Sequence, residues 1–530
     1  MRHWLAHARS YALALIALMP MSTRAQGDFD ATYAGIDALH AAIDSRRISA
    51  ESLVRYYLDR IERFDQHGPR INALITINPE AIAQARARDL EAGTRPIKDP
   101  LYGIPFIVKD NYDSAGLATS GGSAALKDSV PANNAYVLQR LLDAGAILIG
   151  KSNMSELAAS YGRLGYSSAG GLTLNPYNTA RDASGSSSGS AAAVAADFAP
   201  FALGTDTSGS VRAPASVTGL VGLHPTAGLL SRGGIMPSSL TFDTPGILAR
   251  SARDVSIVLA AVAGEDPNDA ATLGTGVSQV TPAATTLPAL ALRGVRLGVV
   301  SNFRAGNEEI DRIERSALRA LERQGAVLVP ITLPPPFETL WSSVLEPVGE
   351  AEFKPQFERY LASLPATRVR TLRQLIEISS DSAIANSATP VNPARLAALR
   401  AADASALTDS PLYIRILTQV LPSLRAQLEA LLRTQRVAAL MFSTMSCPAT
   451  PRFDEADPSY VCHSDDPYRA GYVASVAGWP EITVPAGGIS ANVPVGISFL
   501  GAPFTEPRLL ALAAAFERTH PALPHPSLRP

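Results

Sequence analysis

Residues 184–196 read Ser184-Gly185-Ser186-Ser187-Ser188-Gly189-Ser190-Ala191-Ala192-Ala193-Val194-Ala195-Ala196, and residues 204–212 read Gly204-Thr205-Asp206-Thr207-Ser208-Gly209-Ser210-Val211-Arg212. Small side chains let one stretch of backbone approach another. The alanine run predicts a tightly packed helix whose N-terminus presents unpaired N–H groups. The second loop again gathers hydroxyls and small residues, and its successive N–H groups can form an anion-binding concavity. A low-complexity linker is the bland alternative. It fails because Leu203, Val211, Leu220, Val221 and Leu223 give the stretch from 162 to 246 apolar side chains to pack. Well-patterned segments also flank it on both sides. Loops this long inside a folded domain are usually functional.

Those flanking segments set the fold class. Residues 48–64 repeat apolar side chains at helical spacing (Leu53, Tyr57, Leu58, Ile61), with Ser49 as the N-cap. Residues 103–108 form a short apolar strand leading into Lys109. A helix over 136–144, Gly145 and a buried strand over 146–149 follow. The same grammar returns as a helix over 316–324, Gly325 and a strand over 326–329. Further strands are predicted at 295–300, 438–442, 481–484 and 495–500. Helices alternating with short apolar strands point to an α/β fold with a largely parallel or mixed sheet. Residues 338–432 read as mostly helical and Arg-rich, a region suited to cap a site.

The chain has 530 residues, 46 % hydrophobic and 18 % charged, which excludes wholesale disorder. A net charge of -2 gives no basic excess for nucleic acid. Residues 1–25 read as a secretory signal: Arg2 and Arg9, an apolar run over 11–19, then Pro20 and small or polar residues up to Ala25. That run is too short to span a bilayer, which takes about 20 helical residues, and no other stretch is long and apolar enough. The expectation is an exported protein, periplasmic or secreted, with one large domain over 26–530. In an oxidising compartment Cys447 and Cys462 can pair, and the sequence leaves bridged and free thiols equally open.

The Ser/Gly cluster admits several chemistries. A phosphate-binding loop needs a Lys after its second Gly, and no Lys lies between Lys151 and Lys354. Gly185-Ser186-Ser187-Ser188-Gly189 matches a nucleophile-elbow pattern, but residues 174–182 before it are polar, contain Pro176 and make no buried strand. Only five lysines occur, at 98, 109, 127, 151 and 354, and none has Ser three residues before it, so the Ser-x-x-Lys class is excluded. A serine hydrolase with a lysine base at another spacing remains. Such a lysine must be neutral, so its pKa has to fall from about 10.4 through burial or its hydrogen-bond partners. Lys109, at a strand end, is suitably placed. His224 reads as a packing or capping residue and Lys151 as structural. The acidic run Asp454, Glu455, Asp457, Asp465 and Asp466 beside His463 reads as a solvated loop rather than a metal site.

At this point the sequence resembles the amidase signature hydrolases. Residues 103–111 resemble the family's lysine motif, 150–156 its next segment, 175–196 its Gly/Ser signature, 204–214 its nucleophile loop and 219–226 the continuation. Residues 477–480, 484–487 and 494–496 fit its tail. The resemblance covers nearly all of the chain after the signal, and from Pro69-Arg70-Ile71-Asn72-Ala73 onward it is strongest to bacterial peptide amidases. It implies a single large domain with a mixed twisted sheet covered by helices on both faces. It implies hydrolysis of a small-molecule or peptide amide through an acyl-enzyme, with no cofactor and no metal. Ser210 falls where the nucleophile stands, Ser186 at the bridging serine after a cis peptide bond, and Lys109 at the base. The N–H groups of Thr207, Ser208, Gly209 and Ser210 fall at the oxyanion hole, with Ser187, Asp206 and Arg212 as supports. Ser184, Ser188 and Ser208 stand where the family carries glycine, and any of them needing a positive φ would be strained. Esterase or aryl acylamidase activity on the same residues, and an amidotransferase-subunit role, are the alternatives.

Overall fold

The computed structural model describes residues 29–94, 98–274, 280, 292–365, 367–405, 407–520 and 523–529. The segment read as a signal lies outside them. Eleven strands make one sheet: β1 Leu74–Ile77, β2 Pro105–Lys109, β3 Ile147–Ser152, β4 Phe201–Asp206, β5 Val221–His224, β6 Thr244–Ala249, β7 Arg296–Val300, β8 Val327–Ile331, β9 Ala439–Ser443, β10 Glu481–Gly488 and β11 Pro494–Leu500. Their spatial order is β1-β3-β2-β4-β6-β5-β10-β11-β9-β7-β8. Strand β2 runs parallel to β3 and β4, and β7 runs parallel to β8 and β9. The other neighbours are antiparallel, so the sheet is mixed.

Helices flank it: α1 Ala50–Ile61, α2 Tyr136–Asp143, α3 Ser188–Ala195, α4 Arg212–Val217, α5 Ala252–Val262, α6 Glu308–Arg323, α7 Glu346–Ser363, α8 Leu372–Ser379, α9 Pro393–Ala404, α10 Leu421–Gln435, α11 Arg469–Ala477 and α12 Glu506–Glu517. Ser49 caps α1, its side chain accepting from the Ser52 N–H. Leu53, Val54, Tyr57 and Ile61 form the helix's buried face, each burial stabilising by about 1.5–3 kcal/mol. Helix α6 begins eight residues before the predicted 316, because Asn307 Oδ1 accepts from the N–H groups of Glu309 and Ile310.

The main core gathers the side chains of the sheet together with α3. Every residue of α3 is buried, and its small residues are what allow this. A Cβ on Gly189 would stand 2.3 Å from the Ala73 carbonyl oxygen, inside contact distance. Two smaller cores lie beyond the sheet. One joins Phe337, Val344 and Leu428 to α11 and the β9 side chain of Phe442. The other joins Phe353, Phe357, Leu375 and Leu399 of α7, α8 and α9 to Leu157 and Met236.

Strands β4, β5 and β6 lie within or beside the Gly-, Ser-, Thr- and Pro-crowded stretch 162–246, for which the sequence pattern gave no strands. They occupy the middle of the sheet, and their register places Asp206 of β4 opposite Thr244 of β6. Cys447 and Cys462 form a disulfide. Among the described residues, no helix is long and apolar enough to cross a membrane.

Candidate active site

Lys109 is the last residue of β2, at the sheet's interior, and is fully buried. Its Nζ lies 2.8 Å from Ser186 Oγ, 2.8 Å from Thr205 Oγ1 and 3.4 Å from the Thr205 carbonyl oxygen. Asn111 Nδ2 donates to the same Thr205 Oγ1 at 3.1 Å. No carboxylate is within ion-pairing distance of this amine among the described residues. Burial pulls the Lys109 amine down from 10.5 to about 7, against the opposing pull of Asp206 and Asp243.

Lys151, on the neighbouring strand β3, has a different setting. Its Nζ meets the Tyr112 and Ala118 carbonyls, Thr119 Oγ1 and Asp110 Oδ1, the last at 3.3 Å. Burial lowers its pKa as well, and Asp110 and Asp113 oppose that. A carboxylate and two carbonyls make this an ammonium site, in keeping with a structural role.

Ser186 follows a cis peptide bond from Gly185. The neighbouring Ser187 ties the two serine loops together. Its N–H donates to the Ser210 carbonyl at 3.1 Å, its Oγ donates to the Thr205 carbonyl at 3.1 Å, and the Thr205 N–H donates back to that Oγ at 3.2 Å. Ser184 takes a φ of 59°, the left-handed region where a side chain is strained, while Ser188 opens α3 and Ser208 has no positive φ. One of the three departures from glycine therefore carries backbone strain.

The nucleophile loop is organised by Asp206. Its Oδ1 accepts from the Gly209 N–H at 2.7 Å and its Oδ2 from the Val211 N–H at 3.0 Å. Arg212 grips the same carboxylate through Nε and Nη2 at 3.0 and 2.8 Å. The guanidinium also reaches Glu481 Oε2 at 2.7 Å, the Gly471 carbonyl at 2.6 Å and Ser475 Oγ at 2.9 Å. All three charged side chains are completely buried. Burial pushes the Asp206 carboxyl up, but Arg212 and His224 outweigh it and hold the group well below its usual range. His224 Nδ1 stands 3.4 Å from Asp206 Oδ1. Burial, then Arg212, lowers its pKa, against the opposing pull of Asp206.

The Gly209 N–H is thus committed to Asp206. Of the four expected oxyanion donors, Thr207, Ser208 and Ser210 keep N–H groups with no acceptor among the described residues. They border a cavity of about 600 Å³ together with Gly185, the Ser210 side chain and, on the far walls, Phe242, Trp341, Tyr468 and Tyr472. Ser210 is 8 % exposed, enough to meet a ligand there. Residues of α7 and α9 complete the cavity wall.

The sequence reading missed Thr205, Asp243, Glu481 and Tyr468. Thr205 and Asp243 sit on strands or strand ends that the pattern did not reveal. Glu481 was visible only as a polar residue opening an apolar strand. In the acidic run, Asp454, Asp457 and Asp465 pair with Arg452, Arg181 and Arg469. No group of three metal-ligating side chains occurs among the described residues.

Comparison with known proteins identifies the family. The Amidase family model matches residues 52–510. The solved peptide amidase of Stenotrophomonas maltophilia superposes with a TM-score of 0.83 at 36 % identity, covering 94 % of this chain and 99 % of that one. The mandelamide hydrolase of Pseudomonas putida is 34 % identical over 493 residues, 90 % of this chain and 89 % of that protein. A glutamyl-tRNA(Gln) amidotransferase subunit of Caldanaerobacter subterraneus is 32 % identical over 488 residues, 92 % of this chain and 96 % of that protein. The chain belongs to the amidase signature family and is an amide-hydrolysing enzyme.

Proposed function

We propose that this amidase works through an acyl-enzyme on Ser210, with Ser186 as proton bridge and Lys109 as base. The observation that carries the reading is the surroundings of Lys109 Nζ: a fully buried amine with hydroxyls and a carbonyl as neighbours and no carboxylate partner among the described residues. A neutral amine has two hydrogens and one lone pair. Thr205 Oγ1 and the Thr205 carbonyl take the two hydrogens, which leaves the lone pair facing the Ser186 O–H at 2.8 Å. Lys109 then accepts the Ser186 proton as Ser186 accepts that of Ser210.

The Ser210 oxygen bonds to the amide carbon, and the carbonyl electrons move onto oxygen. The free N–H groups of Thr207, Ser208 and Ser210 face that developing charge, a kind of contact commonly worth about 2.7–4 kcal/mol per donor. Return of the proton through Ser186 to the leaving nitrogen breaks the C–N bond and frees ammonia or an amine. Water, deprotonated along the same path, releases the acid and restores Ser210. Asp206 and Arg212 hold the loop in place, and Ser187 holds it against the Ser186 turn.

Peptide C-terminal amides are the proposed substrate class. The structural likeness to a peptide amidase supports this. So does a cavity of about 600 Å³ walled by aromatic rings, within the size range of pockets that enclose whole small ligands. Esterase or aryl acylamidase activity on the same residues is the second reading, since an acyl-enzyme accepts either leaving group. Matched amide and ester substrates, compared by kcat/KM, separate the two. An amidotransferase role, favoured by the amidotransferase relatives, predicts a need for partner proteins. Turnover by the purified chain alone counts against it.

Mass spectrometry after reaction with an acylating probe tests the mechanism. The expected adduct is on Ser210, and Ser210→Ala abolishes it. Full activity in Ser210→Ala or Lys109→Ala would overturn the scheme. Export is likewise proposed from residues 1–25, and the disulfide supports an oxidising compartment. An intact Met1 on cytoplasmic protein would refute it.

A further inference from the structure

Asp243 precedes β6 and touches none of the three residues of the proposed triad, yet it joins two walls of the site. Its Oδ1 accepts from Thr207 Oγ1 at 2.5 Å. Its Oδ2 accepts from the N–H groups of Ser238 and Ser239 at 2.7 and 2.9 Å. Thr207, Ser238 and Ser239 all border the large cavity, Thr207 on the nucleophile side and the two serines on another wall. One carboxylate therefore fixes the spacing between the loop that carries the free N–H donors and the turn beside it.

The same carboxylate also lies beside Thr205, the partner of the base. Asp243, Thr207, Thr205 and Asn111 border a single void of about 10 Å³. Thr205 Oγ1 is the atom that contacts both Lys109 Nζ and Asn111 Nδ2. Register reinforces the arrangement, because Thr244, next to Asp243, pairs with Asp206 across β6 and β4. Two carboxylates thus act on the amine. Asp206 shares Arg212 with Glu481. The cation on the Asp243 side is Arg232, whose Nε and Nη2 are both taken by Asp269 at 3.0 and 2.5 Å. Glu352, close to the 238–241 turn, accepts from Ser239 Oγ and the Thr241 N–H and adds no cation. Neither carboxylate has a cation to itself, and Asp243 is the one that can be neutralised without breaking the Arg212 pair.

We propose that Asp243 is a positioning residue of the reaction: through Thr207 it sets the nucleophile loop, and through its charge it sets the field at the Lys109 amine. The proposal rests on the reading of Ser210 as nucleophile and Lys109 as base. Burial raises the Asp243 carboxyl itself to about 6, with Thr207, Ser238 and Ser239 opposing, so it is mostly ionised wherever Lys109 is neutral.

A carboxylate that merely braced a turn would affect stability alone. The proposal makes a further demand on the pH profile. Losing a negative charge near an amine lowers the amine's pKa, so the base becomes neutral at lower pH. In Asp243→Asn the acid limb of kcat/KM is expected to move down by about one pH unit, the scale of shift a neighbouring charge imposes. Plateau kcat is expected to fall by about tenfold, with KM changed by less than about threefold. Thr207→Val breaks the Thr207–Asp243 link and keeps the charge. It should lower kcat with the limb unmoved, and Thr207→Ser should restore kcat. Active sites are counted in every sample with an acylating probe, so an unfolded fraction does not enter the rates. An acid limb in Asp243→Asn that coincides with the wild type, or that moves to higher pH, overturns the proposal. So does wild-type kcat in Thr207→Val. Absence of the Ser210 adduct in the wild type would overturn the underlying triad first, before any variant is compared.

Discussion

Raising the pH from 5 to 8 should switch the enzyme on along a curve set by one amine. Lys109 falls from 10.5 to about 7 because it is wholly buried. Only the neutral form can accept the Ser186 proton, so kcat/KM should be half-maximal near pH 7. It should then drop to about a tenth at pH 6, and fall less steeply below that as Asp243 takes up a proton and its pull on the amine is lost. The rate of Ser210 acylation by a single-turnover probe should follow the same curve, since both need the same proton transfer. A flat profile from pH 5.5 to 8 would refute the argument, as would the same limb in Lys109→Ala.

Stability gives an independent reading of the same number. The folded pKa of this base lies below its unfolded value, so between about 7 and 10.5 the unfolded chain binds more protons. The stability that Lys109 forfeits by being buried is then largest at pH 7 and below, and is regained as pH rises towards 10.5, by about 1.4 kcal/mol per unit. Lys109→Met removes that dependence. In denaturant unfolding, the stability advantage of the variant over the wild type should shrink by about 2 kcal/mol between pH 7 and pH 9. A difference independent of pH would mean that Lys109 titrates near its ordinary value.

Other perturbations test the surrounding frame. Arg212→Met leaves Asp206 and Glu481 as buried carboxylates without this counter-charge and should cost about 3–5 kcal/mol. Arg212→Lys should not recover the loss, because one ammonium cannot span both partners, and a wild-type melting temperature in either variant contradicts this. Ser184→Gly relieves a φ of 59° and should raise the unfolding free energy in denaturant by about 1 kcal/mol, whereas an unchanged or lower value would show that the strain is absorbed. Removing the Cys447–Cys462 bridge opens a loop with a sequence separation of 15 and should cost about 3 kcal/mol. Thermal melts of the double serine variant, and of the wild type with reductant, should then coincide below the oxidised protein.

Legibility in the sequence followed how local each signal was. The helix at α1 and the helix–Gly145–strand unit of α2 and β3 were clear because capping and periodicity act within a few residues. Lys109 was singled out because lysine is rare in this chain and because the motif around it resembles a family, while its partner Thr205 stayed hidden. Strands β4, β5 and β6 are central and enclosed on both faces, so they show no alternation. Their Gly and Thr content reflects close backbone packing against neighbouring helices and loops rather than flexibility. Asp243 and Glu481 act through contacts that join segments distant in sequence, such as the 269 positions between Arg212 and Glu481, and no local pattern encodes these. The cysteine pairing was open for the same reason.

That long-range pair also places the site in time. Lys109, Ser186 and Ser210 are all made in the first half of the chain, yet the Arg212 that steadies their loop finds Glu481 and Gly471 only after the last strands have emerged. Until then a collapsing N-terminal half would have to bury a guanidinium with three of its four partner residues missing, which disfavours closing the loop early. The enzyme should therefore acquire its activity late and all at once. A chain truncated before β10 would contain every residue of the proposed triad and still lack Glu481, the carboxylate that anchors the Arg212 guanidinium behind the nucleophile loop.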